Sequence, residues 1–282
     1  MRFTRAIPFT IGLTLSAAAA SAALALEQVI PLDTSGPRLK ALLTVEGHAP
    51  VPVIFDTGAM ASIINPKLAT ELGMPNLGNT QVHSPGSSSP VEGFLTRFPK
   101  ARLGEADITG RQALAIDIKL PLGDVLGIMS PNLFAGKLVR FELSKSRAAV
   151  TDRSSATIPA GQAYSYAAGL PAAEINIAGT KIEGHVDSGA GAAFILPLEE
   201  AQKLPLADKL VPHKPIHVVG ADHNAFTAHI KGSVAVGPAV FDHPEMIFAE
   251  NIPFAVIGFA ALRNLTIVLD PSQRRDWLLK AD

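Results

Sequence analysis

The 282-residue chain contains no cysteine, few aromatic residues and few charges. Without cysteine it can form no disulfide, carry no lipid on a cysteine and use no thiol nucleophile. Charged residues make up only 17% of the chain, its formal net charge is −1, and Lys and Arg form no cluster. A nucleic-acid surface is therefore not indicated, since it needs concentrated positive charge. The 48% hydrophobic content allows a substantial core, in one large domain or two smaller ones.

The first 25 residues differ in composition from the rest of the chain. Arg2 and Arg5 precede an apolar stretch that ends in small residues, "AAAASAALA". This pattern predicts a secretory signal peptide, cleaved after Ala25, and hence a periplasmic or secreted protein. The alternative is an uncleaved anchor, for which the segment is only just long enough. No later run approaches that length, so we expect no stable membrane insertion after signal removal.

Two phrases of the sequence are similar to each other. "VIFDTGAMASII" contains Asp56 and "GHVDSGAGAAFIL" contains Asp187, and both aspartates follow apolar residues and precede a hydroxyl residue and a glycine. "DVLGIMSPNLF" and "FAVIGFAALRNL" form a second pair, around Gly127 and Gly258. Both pairs are separated by 131 residues. The equal spacing predicts an internal duplication that gives two similar lobes.

The remaining patterns predict an all-β fold with short helices. After the signal peptide (1–25) we place an N-terminal lobe at 26–154 and a C-terminal lobe at 155–282, with the polar linker "TDRSSAT" between them. Short helices are predicted in "NPKLATELGM", in "PLEEAQKL" and in the Gly127 and Gly258 phrases. Short apolar or alternating runs predict strands in "RLKALLTVEG", "VPVIFD", "LAIDIKL", "LVRFEL", "AEINIAG", "GSVAVG" and "LTIVLD".

The two aspartates suggest a chemistry when they are taken together. Each would stand at the end of a strand, and the glycine two residues later lets the backbone turn sharply. Two carboxyl groups within hydrogen-bonding distance cannot both ionise readily, so the pair would hold one proton. The charged member can accept a proton from water while the other donates to a carbonyl oxygen. This is general acid–base hydrolysis of an amide, for which we expect neither a cofactor nor a metal.

From Leu26 to about Leu279 the sequence resembles aspartic peptidases of the pepsin and retropepsin superfamily. "DTG" and "DSG" match the two active-site signatures, while "VLG" and "VIG" match an apolar-apolar-Gly element. A fused, two-lobed bacterial retropepsin-like protein is the best description. The resemblance implies two homologous β-barrel-like lobes with a cleft between them. It also implies Asp56 and Asp187 as the catalytic pair, Thr57 and Ser188 cross-bonded beneath them, and Gly58 and Gly189 completing the turns.

The sequence departs from the pepsin pattern directly after each signature glycine. Pepsins usually carry a hydroxyl residue there, whereas this chain has Ala59 and Ala190, as retropepsins do. Loss of a hydroxyl that stabilises the carboxylate should make the pair less acidic. We therefore expect a mildly acidic pH optimum. A further phrase, "DTSG" at Asp33, is interpreted as a turn only.

Two loops are candidates for flaps that close over a substrate. They lie in "VHSPGSSSPVEGF" and "IHVVGADHNAF", and the backbone near Gly86 and Gly220 would bind an extended peptide by adding a strand to it. Ordinary hairpin loops are the alternative. The flap tyrosine of pepsins is not evident, since Tyr164 and Tyr166 directly follow the linker.

The histidines give weaker indications. His217, His223 and His229 recur every six residues without a closely spaced pair, which favours a hairpin over a metal site. His185 precedes Asp187 by two residues, so in a strand both would face the same side. It could tune the charge of the aspartate pair, and a structural or solvent-facing placement is the alternative.

Three functions follow from these patterns. The leading one is an exported aspartic endopeptidase that acts on peptide or protein substrates, as a monomer, since one chain supplies both aspartates. The rival is a peptide-binding protein of the same fold with weak or no catalysis. A two-carboxylate glycosidase is the least favoured, because the Thr/Ser-Gly context does not suit it.

Overall fold

The alternating apolar runs form strands in the computed structural model, which describes residues 27–82, 90–117, 125–218 and 221–281. The predicted signal peptide, residues 1–25, and the flap glycines Gly86 and Gly220 lie outside the described residues. Within these residues only two α-helices occur, both short, and the all-β prediction is confirmed. No helix among them has the length and hydrophobicity that a bilayer crossing requires.

Each run that the sequence predicted contains a strand, although residues 118–120 of "LAIDIKL" lie outside the described residues. The two helices are α1 (Pro66–Glu71) and α2 (Phe259–Leu262), and single 3₁₀ turns occupy Pro131–Phe134, Leu143–Lys145 and Leu198–Gln202. In chain order the strands are β1 (Gln28–Pro31), β2 (Lys40–Val45), β3 (Val51–Phe55), β4 (Ile63–Ile64), β5 (Asn79–Val82), β6 (Val91–Arg97), β7 (Ala101–Leu103), β8 (Ala106–Asp107), β9 (Gln112–Ile116), β10 (Gly127–Met129), β11 (Lys137–Glu142), β12 (Arg147–Asp152), β13 (Tyr164–Ser165), β14 (Ala172–Ile177), β15 (Thr180–Asp187), β16 (Phe194–Pro197), β17 (Val211–Val218), β18 (Ala221–His229), β19 (Ser233–Val236), β20 (Ala239–Asp242), β21 (Glu245–Ala249), β22 (Ala255–Gly258), β23 (Leu265–Asp270) and β24 (Arg275–Lys280).

Two nine-stranded sheets have the same strand order. The first runs β5-β6-β9-β4-β10-β3-β2-β7-β8 and the second runs β17-β18-β21-β16-β22-β15-β14-β19-β20. We call these sheets, with their helices, the first and second lobes. When each strand is replaced by its counterpart, the two orders coincide. This equivalence supports the duplication hypothesis.

A third sheet of six strands joins the lobes. Its order is β1-β12-β11-β23-β24-β13, so strands from the first half of the chain lie beside strands from the second half. The junction is the antiparallel pair β11–β23, in which Val139 lies opposite Leu269. Sequence reasoning missed this sheet. The segment 153–163 between β12 and β13 contains no strand or helix, and it includes the lobe boundary that we placed after residue 154.

The core holds the central strand of the first lobe in place. In β2 the buried residues alternate with exposed ones, as expected for a strand with one buried face. The last three residues of β3 are all buried, and its terminal Phe55 packs on Phe134 and Phe141, with ring centroids 6.2 and 4.8 Å away. Such aromatic contacts fix the strand end from which Asp56 projects.

The structure corrects one landmark of the proposed duplication. In the second lobe Gly258 lies opposite Asp187 in the parallel pair β15–β22. The same pairing in the first lobe places Ser130 beside Asp56. Gly127 lies three positions earlier in the chain. The match of "VLG" to "VIG", and with it the equivalence of Gly127 and Gly258, was therefore wrong, whereas the strand orders support the duplication itself.

The glycine at position 258 follows from a longer signature loop in the second lobe. Ile63 and Ile195 hold equivalent places next to β10 and β22, but they follow their aspartates by seven and eight residues. The extra residue brings the loop across position 258. A Cβ atom at Gly258 would overlap the carbonyl oxygen of Ala192 and lie 2.8 Å from that of Ala190. Glycine is required there by the close approach of the backbone.

Candidate active site

The two signature aspartates stand at the ends of central strands. Asp56 directly follows β3, which lies between β10 and β2, and Asp187 ends β15, which lies between β22 and β14. The backbone N–H of Asp56 also donates to the carbonyl of Met129 at 2.9 Å. Since both strands are paired on both sides, each carboxyl group has a rigid base.

The hydroxyl residues of the two signatures bind each other across the lobes. The N–H of Thr57 donates to Ser188 Oγ at 3.0 Å, and the N–H of Ser188 donates to Thr57 Oγ1 at 2.9 Å. Each hydroxyl then donates to a carbonyl of the other lobe, Thr57 to Val186 at 2.7 Å and Ser188 to Phe55 at 2.9 Å. Both residues are buried. These are the cross-bonds that the family resemblance implied.

The signature glycines let the two carboxyl groups approach. A Cβ atom on Gly58 would lie 2.5 Å from Asp187 Cγ, and one on Gly189 would lie 2.5 Å from Asp56 Oδ2. Neither glycine has a positive φ, so space rather than backbone conformation requires them. Each carboxyl group therefore rests on the glycine of the opposite lobe, and any side chain there would push it away.

Backbone N–H groups bind both carboxyl groups from below. Asp56 Oδ1 accepts from Gly58 at 2.8 Å and from Gly189 at 3.2 Å. Asp187 Oδ1 accepts from Gly189 and Ala190, each at 2.9 Å. The two side chains also hydrogen-bond each other. Both residues keep part of their surface open to solvent. A reactant could therefore reach the pair.

Burial raises the pKa values of both members of the pair. Burial raises the pKa of Asp56 well above its usual value, and the charge of Asp187 raises it further. Burial also raises the pKa of Asp187, but the hydrogen bond from Asp56 and the N–H groups of Ala190 and Gly189 oppose that rise. Because both pKa values are raised, the arrangement favours a pair that holds one proton between its two carboxyl groups.

His185 is buried beside this pair. It is 5% exposed, and its ring meets that of Phe254 edge-on at 4.3 Å. Its Nδ1 atom has no hydrogen-bond partner in the described part of the chain. Burial lowers the pKa of His185, which favours the neutral ring, while Asp187 acts in the opposite direction. A solvent-facing placement is excluded, and its tuning role stays a hypothesis.

The flap candidates are only partly described. β5 pairs with β6 and β17 pairs with β18, each pair antiparallel, at equivalent edges of the two sheets. Gly86 and Gly220 lie between these strands, outside the described residues. Of the neighbouring histidines, His217 contacts Asp222 and His229 contacts Asp208. The described residues contain no group of three potential metal ligands.

Sequence reasoning missed two residues near the signature loops. Arg38 Nε donates to the carbonyl of Gly189 at 3.0 Å. Tyr166 lines a small cavity with Thr57 and Ala59, although its position after the linker gave no sign of this. Arg38 and Gly189 are 151 residues apart, and no local pattern in the sequence indicates a contact over that separation.

The fold and the facing signatures define a two-lobed β protein of the aspartic peptidase type. Residues 41–134 match the family model described as aspartyl protease, and this match supports the resemblance to the aspartic peptidase superfamily. That segment contains Asp56 and ends before the second signature. The comparison with curated proteins gave no match.

Proposed function

We propose that this protein is an exported aspartic endopeptidase that activates water on Asp56 and Asp187. The family match supports peptidase activity. The observation that carries the proposal is the contact between the two carboxyl groups, above the reciprocal bonds of Thr57 and Ser188. A shared proton at this place suits general acid–base hydrolysis of a peptide bond.

The geometry supports a definite division of roles. The charged carboxyl of Asp187 accepts a proton from the attacking water, while the protonated carboxyl of Asp56 donates its proton to the carbonyl oxygen of the substrate. In the second step a hydroxyl of the tetrahedral species returns its proton to Asp56, Asp187 gives its proton to the leaving nitrogen, and the C–N bond breaks to release a carboxylic acid and an amine. One proton is gained and one is given, so the pair returns to its starting state.

The substrate would be a peptide or protein segment in extended conformation. The hairpins β5–β6 and β17–β18 would contact it, and strand addition near Gly86 and Gly220 remains part of the proposal. One chain carries both aspartates, so a monomer suffices for the chemistry. Periplasmic or secreted localisation is proposed from the N-terminal sequence.

The rival function is peptide binding with little or no turnover. Ala59 and Ala190 in place of hydroxyl residues, and the buried His185, favour it because they alter the usual surroundings of the pair. The signatures themselves favour catalysis. Both carboxyl groups and both cross-bonded hydroxyls are in place, and peptide binding alone does not require a pair that shares a proton.

A mixed peptide library tests the proposal. We expect the purified protein to cleave peptides with a mildly acidic optimum, because both carboxyl groups have raised pKa values. We expect Asp56→Asn and Asp187→Asn each to lower kcat/KM by about three orders of magnitude or more, because each lacks one partner of the proton exchange. Asp33→Asn is the matched control, since the Asp33 side chain accepts hydrogen bonds from Ser35 in an exposed turn and not from the signature loops.

Three outcomes would contradict the proposal or part of it. Binding without cleavage at any pH from about 3 to 8 would support the rival. Undiminished cleavage by both folded Asn variants would place the chemistry elsewhere. A rate maximum below about pH 3 would contradict the raised pKa values of the pair.

A further inference from the structure

Arg38 crosses from the first lobe to the second signature. It lies two residues before β2, is half-buried, and its Nε donates to the carbonyl of Gly189 at 3.0 Å. Arg38 forms no ion pair with a carboxylate among the described residues. Among the described residues, the carbonyl of Gly189 is therefore the group on which its positive charge acts through a hydrogen bond.

The acceptor carbonyl belongs to a peptide group that also binds the aspartate pair. The carbonyl of Gly189 and the N–H of Ala190 are the two ends of one peptide unit, and that N–H donates to Asp187 Oδ1 at 2.9 Å. A continuous path thus runs from the guanidinium through the peptide group to the carboxylate. Hydrogen bonds in such a chain polarise one another, and a charged donor strengthens the effect.

In the described part of the chain, no such path leads to the first signature, which contains Asp56. The N–H of Phe55 donates to the carbonyl of Leu39, and the N–H of Val186 donates to the carbonyl of Pro171. Leu39 and Pro171 are therefore equivalent, and the residues before them, Arg38 and Leu170, are equivalent as well. Leu170 is buried and apolar, and it offers no donor. Asp56 Oδ1 instead accepts from Gly58 and Gly189. The two carboxyl groups therefore differ in their surroundings although their signatures are alike.

We propose that Arg38 is a positioning residue that, through the Gly189–Ala190 peptide group, holds the negative charge on Asp187 and the shared proton on Asp56. This inference rests on the proposed function, because it assigns the base and the acid of that reaction. The titratable groups that face Asp187 are Asp56 and His185. His185 is buried and its pKa is lowered, so Arg38 is the permanent positive charge in this arrangement.

The test compares wild type with Arg38→Leu, which installs the residue of the equivalent position. Full-length protein labelled with ¹³C at the aspartate carboxyl carbons is titrated by NMR. We expect the lower apparent pKa of the pair to rise by about 0.5 to 1 unit, because the singly charged form of the pair is less stable without the positive charge of Arg38. The amide proton of Ala190 is expected to shift upfield as its hydrogen bond weakens.

Matched variants separate this role from a structural one. Arg102→Leu makes the same change in net charge at an exposed residue of β7, and it should leave the titration unchanged. Arg38→Lys keeps the charge and should recover part of the shift. If Arg38→Leu does not fold, Arg38→Gln keeps a donor without the charge, and the same upward shift, smaller in size, is expected.

The outcomes are decisive because the titration does not require turnover. An unchanged lower pKa in a folded Arg38→Leu or Arg38→Gln protein, or a shift equal to that of Arg102→Leu, overturns the inference. If no peptide is cleaved but the shift occurs, the proposed function fails and the inference on the proton stands. If peptides are cleaved and the acidic limb of kcat/KM moves with the NMR shift, both stand.

Discussion

At the scale of single residues, the aspartates whose pKa burial raises fall into two kinds. Asp56 and Asp187 face each other between the lobes, whereas Asp276 lies alone on β24. Asp276 is fully buried, its Oδ1 accepts from the N–H of Ala172 at 3.3 Å, and its Oδ2 has no partner within the described ranges. Burial raises the pKa of Asp276 to about 7. The folded protein therefore prefers this carboxyl group in its neutral form.

This burial makes stability depend on pH, and Asp276→Asn should reveal it. The carboxyl ionises at an ordinary value of 3.8 in the unfolded chain and at about 7 in the folded one, so ionisation increasingly favours unfolding as pH rises between them. We expect the variant to match wild type near pH 4 and to exceed its free energy of unfolding by up to about 4 kcal/mol at pH 8. Urea unfolding at both pH values measures this.

Asp270→Asn is the control for that experiment. Asp270 is equally buried, but its carboxylate accepts from Arg153 Nε at 2.6 Å. Its loss should destabilise the protein at pH 8, since a hydrogen-bonded ion pair is broken. Equal destabilisation by Asp276→Asn at both pH values would show that the carboxyl group of Asp276 is not held neutral.

At the scale of elements, the two signature loops follow similar sequences but pack differently. The second loop is one residue longer and leaves no space for a side chain at Gly258. The equivalent Ser130 has space, and its hydroxyl donates to the carbonyl of Ala59 at 2.6 Å and accepts from Asn132 N–H at 3.1 Å. The residue types at positions 130 and 258 therefore differ because the loops beside them differ in length.

Placing the residue of each position at the other should lower the free energy of unfolding by unequal amounts. We expect Gly258→Ser to lower the free energy of unfolding by about 1 to 3 kcal/mol or more, because the added atoms overlap backbone that cannot yield. It should also lower kcat/KM, since the displaced loop carries Ala190. Ser130→Gly should cost about 1 kcal/mol, the value of its hydrogen bonds. Denaturant unfolding of both variants measures the difference, and equal costs would contradict the loop-length explanation.

Local sequence signals predicted the individual elements well. α1 begins at the predicted Asn-Pro, where the Asn65 side chain accepts from the N–H of Lys67, and the chain turns at the left-handed Gly73. The second predicted helix, in "PLEEAQKL", is a 3₁₀ turn without a side-chain cap. Alternating apolar residues gave the strands, since one-sided burial leaves a direct trace in the sequence.

At the scale of the whole molecule, contacts between distant residues were beyond sequence reasoning. The interlobe sheet depends on pairing between β11 and β23, and such pairing leaves no local pattern. The wrong equivalence of Gly127 and Gly258 arose because Asp56 and Ser130 are 130 − 56 = 74 residues apart whereas Asp187 and Gly258 are 258 − 187 = 71 apart, and this difference is invisible without the strand register. The contact of Arg38 with Gly189 was missed because no local pattern connects residues that are 151 positions apart. Only the signatures themselves predicted that Asp56 and Asp187 meet.

That meeting is the central claim, and a carboxyl titration tests it most directly. The ¹³C signals of Asp56 and Asp187 are followed by NMR against pH in wild type, and that of Asp187 is followed in Asp56→Asn. Because the two groups share a proton, we expect two coupled steps in wild type, with the upper one well above the ordinary aspartate range, and one step for Asp187 in the variant. Independent single steps in wild type, with Asp187 unaffected by the loss of Asp56, would contradict the account.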